Sequence, residues 1–148
     1  YTLPENIENL ILTGKEDLDA TGNNLDNILT GNDGANNLLG LDGNDILNGK
    51  AGNDFLNGGL GDDVYIFNKG DNNDVIFDVG GSDTIKFGEG ITFEDLSFER
   101  MINDLVISFA DSDDSITIID GFVNGSEIDK YEFFDGTVLI FADISLLI

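Results

Sequence analysis

The sequence predicts an all-β protein: a parallel β-roll, or β-helix solenoid, of nonapeptide repeats followed by a mostly antiparallel β capping region. The first observation behind this is the stretch from Gly40 to Ile66, which divides into GLDGNDILN, GKAGNDFLN and GGLGDDVYI. Each block has Gly at places one and four (Gly40 and Gly43, Gly49 and Gly52, Gly58 and Gly61) and Asp at place six (Asp45, Asp54, Asp63). A large apolar residue fills place eight (Leu47, Leu56, Tyr65). The second observation is a change of texture near Gly90, where glycine thins out and short alternating apolar runs take over. Self-similarity at a short fixed period marks a solenoid, and a solenoid needs a different terminal unit to close its core.

Three segments are expected: a lead-in strand or cap over residues 1–13, the roll over 14–87 and the capping region over 88–148. In the lead-in, Ile7, Leu10 and Leu12 are apolar. A degenerate block follows from Gly14, one residue short of nine. GNNLDNILT (22–30) and GNDGANNLL (31–39) restore the period, with Asn27 and Asn36 at place six. Within a block, a turn of about six residues leads into one short strand whose eighth residue points inward. One block buries nothing alone, but stacked copies bury a continuous ladder. Two blocks complete a coil, so Asp45 is expected over Asp63, and Asn36 over Asp54.

After Ile66 the period breaks, and 68–78 and 80–88 read as two further, irregular turns before Val75-Ile76-Phe77 and Thr84-Ile85. Strands are then expected over 96–101, 104–110, 115–120 and 129–141, with a short turn or helix capped by Thr92 and a hairpin at Asp135-Gly136. The last residues read as a short helix or strand. Phe93, Phe98, Phe122 and Tyr131 are expected in the core of the cap.

Thirty Asp plus Glu face six Lys plus Arg, for a net charge of −24, while hydrophobic content is 41%. No basic patch exists, which argues against nucleic acid and anionic membranes as partners. No apolar run approaches the ~20 residues of a spanning helix. The first dozen residues carry Glu5 and Glu8 and lack the basic start of a signal peptide. The chain reads as an excised portion of something longer, and as a monomer.

Stacked carboxylates repel unless a counter-charge sits between them. Calcium suits: it takes 6–8 oxygen ligands, including carboxylates and carbonyls, in irregular geometry. There is no His and no Cys, which removes the usual zinc, copper and iron ligands. Magnesium demands a rigid octahedron and keeps its waters. In the irregular turns Asp71, Asn73, Asp74 and Asp83 are either ligands or plain turn residues.

Residues 22–87 resemble the RTX (repeats-in-toxin) calcium-binding β-roll, whose nonapeptide is G-G-x-G-x-D-x-U-x. Residues 88–148 resemble the haemolysin-type calcium-binding-related region, through ITFEDLSFERMINDLVISFADSDDSITIIDGF and YEFFDGTVL. The resemblance implies that place-six carboxylates and the carbonyls of turn glycines and their neighbours hold several calcium ions. That carries to Asp45, Asp54 and Asp63, and to Asn27 and Asn36 without the charge. Around them it adds Asp33, Gly40, Asp42, Asn44, Gly49, Ala51, Asn53, Gly58, Gly61 and Asp62. Leu41 and Lys50 depart from the motif's second glycine. The resemblance also implies type I secretion machinery as a partner, and a location outside a bacterium, secreted or at its surface. The expected function is a calcium-binding module that folds on meeting extracellular calcium, supporting export and folding of a larger toxin, enzyme or adhesin. The rival is a calcium-stabilised adhesin or carbohydrate- or partner-recognition module.

An enzyme is not expected. The chain lacks G-x-S-x-G, His and Cys, and no acid stands alone in an apolar stretch. GNDILNGKA (43–51) misses the P-loop spacing and its Ser or Thr. DSDDSI (111–116) lacks the EF-hand Gly and Glu and reads as a hairpin turn.

Overall fold

The computed structural model describes residues 1–123 and 125–148. Nine strands wind the roll: β1 (Asn9–Ile11), β2 (Asp19–Thr21), β3 (Ile28–Thr30), β4 (Asn37–Asp42), β5 (Ile46–Asn48), β6 (Phe55–Leu60), β7 (Val64–Phe67), β8 (Asn73–Phe77) and β9 (Thr84–Phe87). A 3-10 turn (Phe93–Asp95) leads into the cap: β10 (Leu96–Met101), β11 (Asp104–Phe109), β12 (Ser115–Ile118), β13 (Lys130–Glu132), β14 (Val138–Ile140) and α1 (Phe141–Ser145). Successive strands of the roll alternate between two sheets, ordered β1-β3-β5-β7-β9-β13-β14 and β10-β11-β12-β8-β6-β4-β2.

The nine-residue period sets the register. Ile28 pairs with Ile46, Ile46 with Val64, and Asn37 with Phe55, all parallel and eighteen residues apart. Place eight therefore stacks on place eight two blocks on. Leu29, Leu47, Tyr65 and Ile85 form one inward column, and Ala20, Leu38, Leu56 and Ile76 the other, all buried. Each buried Leu or Ile contributes about 1.5–3 kcal/mol relative to exposure, which a single coil cannot collect. Glycine at place four follows from the same stacking. Gly61 has φ +132°, and a Cβ there would strike the carbonyl of Gly43 one coil earlier. In the three blocks from Gly40 to Ile66 place two also takes positive φ, so Leu41 (φ 93°) and Lys50 (φ 66°) hold a conformation that favours glycine.

Two registers differ from the expected ones. Asp19 pairs with Asn37, eighteen residues apart, so the early block is a full nine residues opening on Thr13 rather than an eight-residue block opening on Gly14. After Ile66 the period resumes instead of degenerating. Phe55 pairs with Val75 and Val64 with Thr84, twenty residues apart. Two inserted residues, Phe67 and Asn68, account for the offset, and Phe67 is accommodated by lengthening β7 so that it pairs with Phe87.

The capping strands extend both sheets. β12 joins β8 and β13 joins β9 in parallel, while β10, β11 and β14 add antiparallel edges. Aromatic rings close the end of the core. Phe109 stacks on Phe67 at 4.9 Å and meets Phe87 edge-on at 6.2 Å, and Phe133 stacks on Phe87 at 4.9 Å. Phe93, Phe98 and Phe122 pack against this core and Tyr131 is fully buried in it. Thr92 caps the 3-10 turn through Asp95, and Gly136 (φ 91°) closes the β13–β14 hairpin onto Phe133. No helix among the described residues is long and apolar enough to cross a membrane.

Candidate metal sites

The turns of alternate blocks stack into two columns, and place six runs down the inside of each. Its backbone N–H donates to the side chain of the next place six along the column. Asn27 donates to Asp45 Oδ1 at 2.7 Å, Asp45 to Asp63 Oδ1 at 2.7 Å and Asp63 to Asp83 Oδ1 at 2.9 Å. In the other column Asn36 donates to Asp54 Oδ1 at 2.7 Å and Asp54 to Asp74 Oδ1 at 3.0 Å. The expected superpositions of Asp45 with Asp63 and Asn36 with Asp54 are both present. Each ladder bond uses one carboxylate oxygen. The other, Oδ2 of Asp45, Asp54 and Asp63, is buried with no hydrogen-bond partner. These three are the majority of the five unpartnered buried side-chain oxygens among the described residues.

Such oxygens are costly. An unpaired buried polar group loses its hydration without return. Burial accordingly raises the carboxyls of Asp45 and Asp54 to about 6 and those of Asp63 and Asp83 to about 7. Asp74 rises to about 8 for the same reason, and neighbouring carboxylates add to it. The ladder N–H groups pull the other way and do not win. A hard divalent cation answers all of this at once, since it accepts unpartnered oxygens and cancels the stacked charge. The donor set is oxygen only, so the residues present fit calcium.

The asparagine blocks are built differently. Asn27 Oδ1 accepts the N–H of Asn23 at 2.6 Å, and Asn36 Oδ1 that of Asn32 at 2.8 Å. Asn36 Nδ2 donates to Leu18 O and to Asn32 Oδ1, both at 2.9 Å, and Asn27 Nδ2 to Asn23 Oδ1 at 3.2 Å. Asn23 and Asn32 stand at place two, where the following blocks have Leu41, Lys50 and Gly59. Paired amides thus close by themselves the gap that paired carboxylates leave open.

The remaining candidates fall into two groups. Gly40, Gly49 and Gly58 lie buried, and a Cβ on any of them would strike the place-six Oδ2 of its own block. Asp33, Asp42, Asn44, Asn53, Asp62 and Asn73 have exposed side chains, and Ala51 and Gly61 are partly exposed. Several brace the outside of the turns: Asn44 Oδ1 accepts the Asp62 N–H and Asn53 Oδ1 that of Asn73. Asp33 pairs with Lys15 at 3.7 Å. Asp71 is buried, accepts the Asn68 N–H at 2.7 Å and is pushed up by burial.

Three carboxylates outside the motif join or flank the columns. Asp129 Oδ2 accepts the Asp83 N–H at 3.0 Å and so ends one ladder. Its signal is present in DKYE, where Asp and Tyr131 repeat places six and eight. Asp78, fully buried, stands at place one of the second block after the insertion. Asp114 also comes in from the cap, accepting the Gly70 N–H at 2.8 Å.

A closed β-roll whose stacked turns bury carboxylates in oxygen-only sites is a structural calcium-binding module. The family comparisons name it: residues 21–56 and 39–73 match the RTX calcium-binding nonapeptide repeat, and residues 104–143 the haemolysin-type calcium binding protein related domain. The chain therefore carries RTX repeats with their related C-terminal domain, and calcium is its cofactor. This is not a catalytic family. The chain is 36% identical over 92 residues to the iron-regulated protein FrpA of Neisseria meningitidis serogroup C, which covers 57% of this chain and 8% of that protein.

Proposed function

We propose that this module is a calcium-triggered fold carried by a larger exported bacterial protein. The observation that carries the reading is the row of buried, unpartnered Oδ2 atoms on Asp45, Asp54 and Asp63. Ions between Asp45 and Asp63, between Asp54 and Asp74, and between Asp63 and Asp83 would be held by these carboxylates and by carbonyls of the adjoining turns, around Gly40, Gly49, Gly58 and Gly61. Without calcium the stacked carboxylates and a net charge of −24 oppose compaction. With it, each site stabilises the fold by RT ln(1 + [Ca]/Kd). Extracellular calcium modules bind with Kd on the order of 10⁻⁴–10⁻³ M. At millimolar calcium each site then contributes about 0.4–1.4 kcal/mol. A few such sites are comparable with the low end of domain stability, ~5 kcal/mol.

At submicromolar cytosolic calcium the contribution vanishes, so the chain stays unfolded inside the cell, passes the type I secretion machinery and folds on exit as a monomer. The family resemblance supports export to the medium or the cell surface. The core positions of Phe93, Phe98, Phe122 and Tyr131 favour folding support over an aromatic recognition surface. Circular dichroism tests this directly. Calcium is expected to convert a coil-like spectrum to a β spectrum, and a chain equally β-structured in chelator overturns the reading.

A further inference from the structure

Two departures from the repeat meet at one point inside the roll. In the block Asp78 to Lys86, Asp78 takes the place that Gly40, Gly49 and Gly58 hold in the three blocks before the insertion. Tyr65 takes place eight, where the two preceding blocks have Leu47 and Leu56. The side chains touch: the Tyr65 hydroxyl donates to Asp78 Oδ2, and itself accepts the Gly58 N–H at 2.8 Å. Asp78 Oδ1 accepts the Val79 N–H at 2.6 Å. A residue that breaks the motif's glycine rule is thus held in a fixed pose by a second residue that breaks its leucine rule.

This pose brings a third carboxylate to the ladder. Oxygens of Asp63, Asp78 and Asp83 lie within 4.8 Å of one another, and all three residues are buried. Among the described residues this is the one such trio. Independently of the cluster, Asp63 Oδ2 is buried without a partner. It and the Tyr65 hydroxyl that holds Asp78 both crowd the space where a Cβ on Gly58 would stand. Oxygens this close can converge on one ion. Calcium–oxygen distances of 2.3–2.6 Å let one ion touch oxygens up to about 4.6–5.2 Å apart.

We propose that Asp78, positioned by Tyr65, adds a third carboxylate to the ion site between Asp63 and Asp83, making it the tightest calcium site of the roll and the first to fill. This rests on the calcium reading above and extends it to a residue that the nonapeptide does not supply. The site joins the last block before the insertion to the second block after it. Its ion therefore ties the repeat to the coil on which the cap is built.

Terbium(III) and calcium titrations of the intact chain test this. The chain has no Trp and three Tyr, so tyrosine-sensitised terbium emission reports ions near a tyrosine. The first equivalent of terbium is expected to give emission in the parent chain and little in Tyr65→Phe. Asp78→Asn is expected to weaken the tightest calcium-binding step at least tenfold. Asp78→Gly restores the repeat's own residue, so it preserves the fold and shows the same loss. Asp54→Ala removes a weaker step and leaves the first untouched. An unchanged first step in Asp78→Gly overturns the proposal, and if Asp54→Ala still loses a step the calcium reading stands without it. No calcium uptake by the parent chain overturns both.

Discussion

At the scale of residues, the carboxylates and asparagines at place six solve one problem in two ways. An amide donates and accepts, so Asn36 can satisfy itself against Asn32 and Leu18. A carboxylate only accepts, and the ladder offers it one N–H. Asp54→Ala should therefore remove one bound calcium and weaken the calcium response, while Asp113→Ala, on an exposed turn, should leave both unchanged. Calcium counting by native mass spectrometry distinguishes the two. Place two makes a separate demand in the blocks from Gly40 to Ile66, for positive φ. Lys50 meets it at φ 66°, is exposed and takes part in no ion pair found among the described residues. Relief of a left-handed non-glycine residue yields about 1–2 kcal/mol, and the extra unfolded-state freedom of glycine returns about 0.5–1. Lys50→Gly is expected to raise stability in calcium by about 0.5–1 kcal/mol, read from urea unfolding. What the sequence revealed at this scale was everything that repeats at nine. It hid Asp78 because the motif assigns that place to glycine, and it hid Asp129 because its ladder partner Asp83 is 46 residues away. Periodicity detects neighbours at a fixed spacing, and neither residue keeps it.

At the scale of elements, strand positions in the roll were legible because the inward residue recurs with the turn. The insertion at Phe67 and Asn68 shifted the phase without changing the structure, so the strands β8 and β9 read as irregular when they are ordinary. The capping strands were legible from alternation, but their docking was not. Nothing local says that β12 pairs with β8 and β13 with β9. That docking depends on the ring cluster of Phe67, Phe87, Phe109 and Phe133. Phe109→Ala should cost about 3–5 kcal/mol, the usual range for a buried Phe, and a denaturant curve in saturating calcium measures it. At the other end of the roll, Asn32→Ala strips the Oδ1 acceptor from the Asn36 amide and should cost about 1–3 kcal/mol. The same variant should bind as many calcium ions as the parent, because those blocks close without the ion.

At the scale of the whole molecule, acidity and burial together make the fold respond to protons. The carboxyls of Asp45, Asp54, Asp63, Asp74, Asp78 and Asp83 are all raised, first by burial, to between about 6 and about 8. The folded chain without calcium therefore binds more protons than the unfolded one. This contribution to stability is complete below the ordinary carboxyl value of 3.8 and is lost as pH rises through 6 to 8. Calcium needs the same carboxylates ionised, so its affinity should fall as pH drops through that window. In chelator, the β spectrum should be stronger at pH 5 than at pH 8. In millimolar calcium it should persist at pH 8, and equal spectra at both pH values in chelator would contradict this account.

The constant register also has a kinetic side. Every pairing in the regular roll joins residues eighteen to twenty apart in a chain of 148. β-structure usually folds slowly because its contacts span long separations. Here the closures are short and nearly equal, so each coil adds to the last at the same small entropic cost. Only the cap must reach further, across 42 residues to β8 and 46 to β9. Refolding should accordingly divide into a rapid zipping phase along the roll and a slower one as the last strands find their seats. A chain that emerges lengthwise can complete a coil with each short stretch released, long before its end is free.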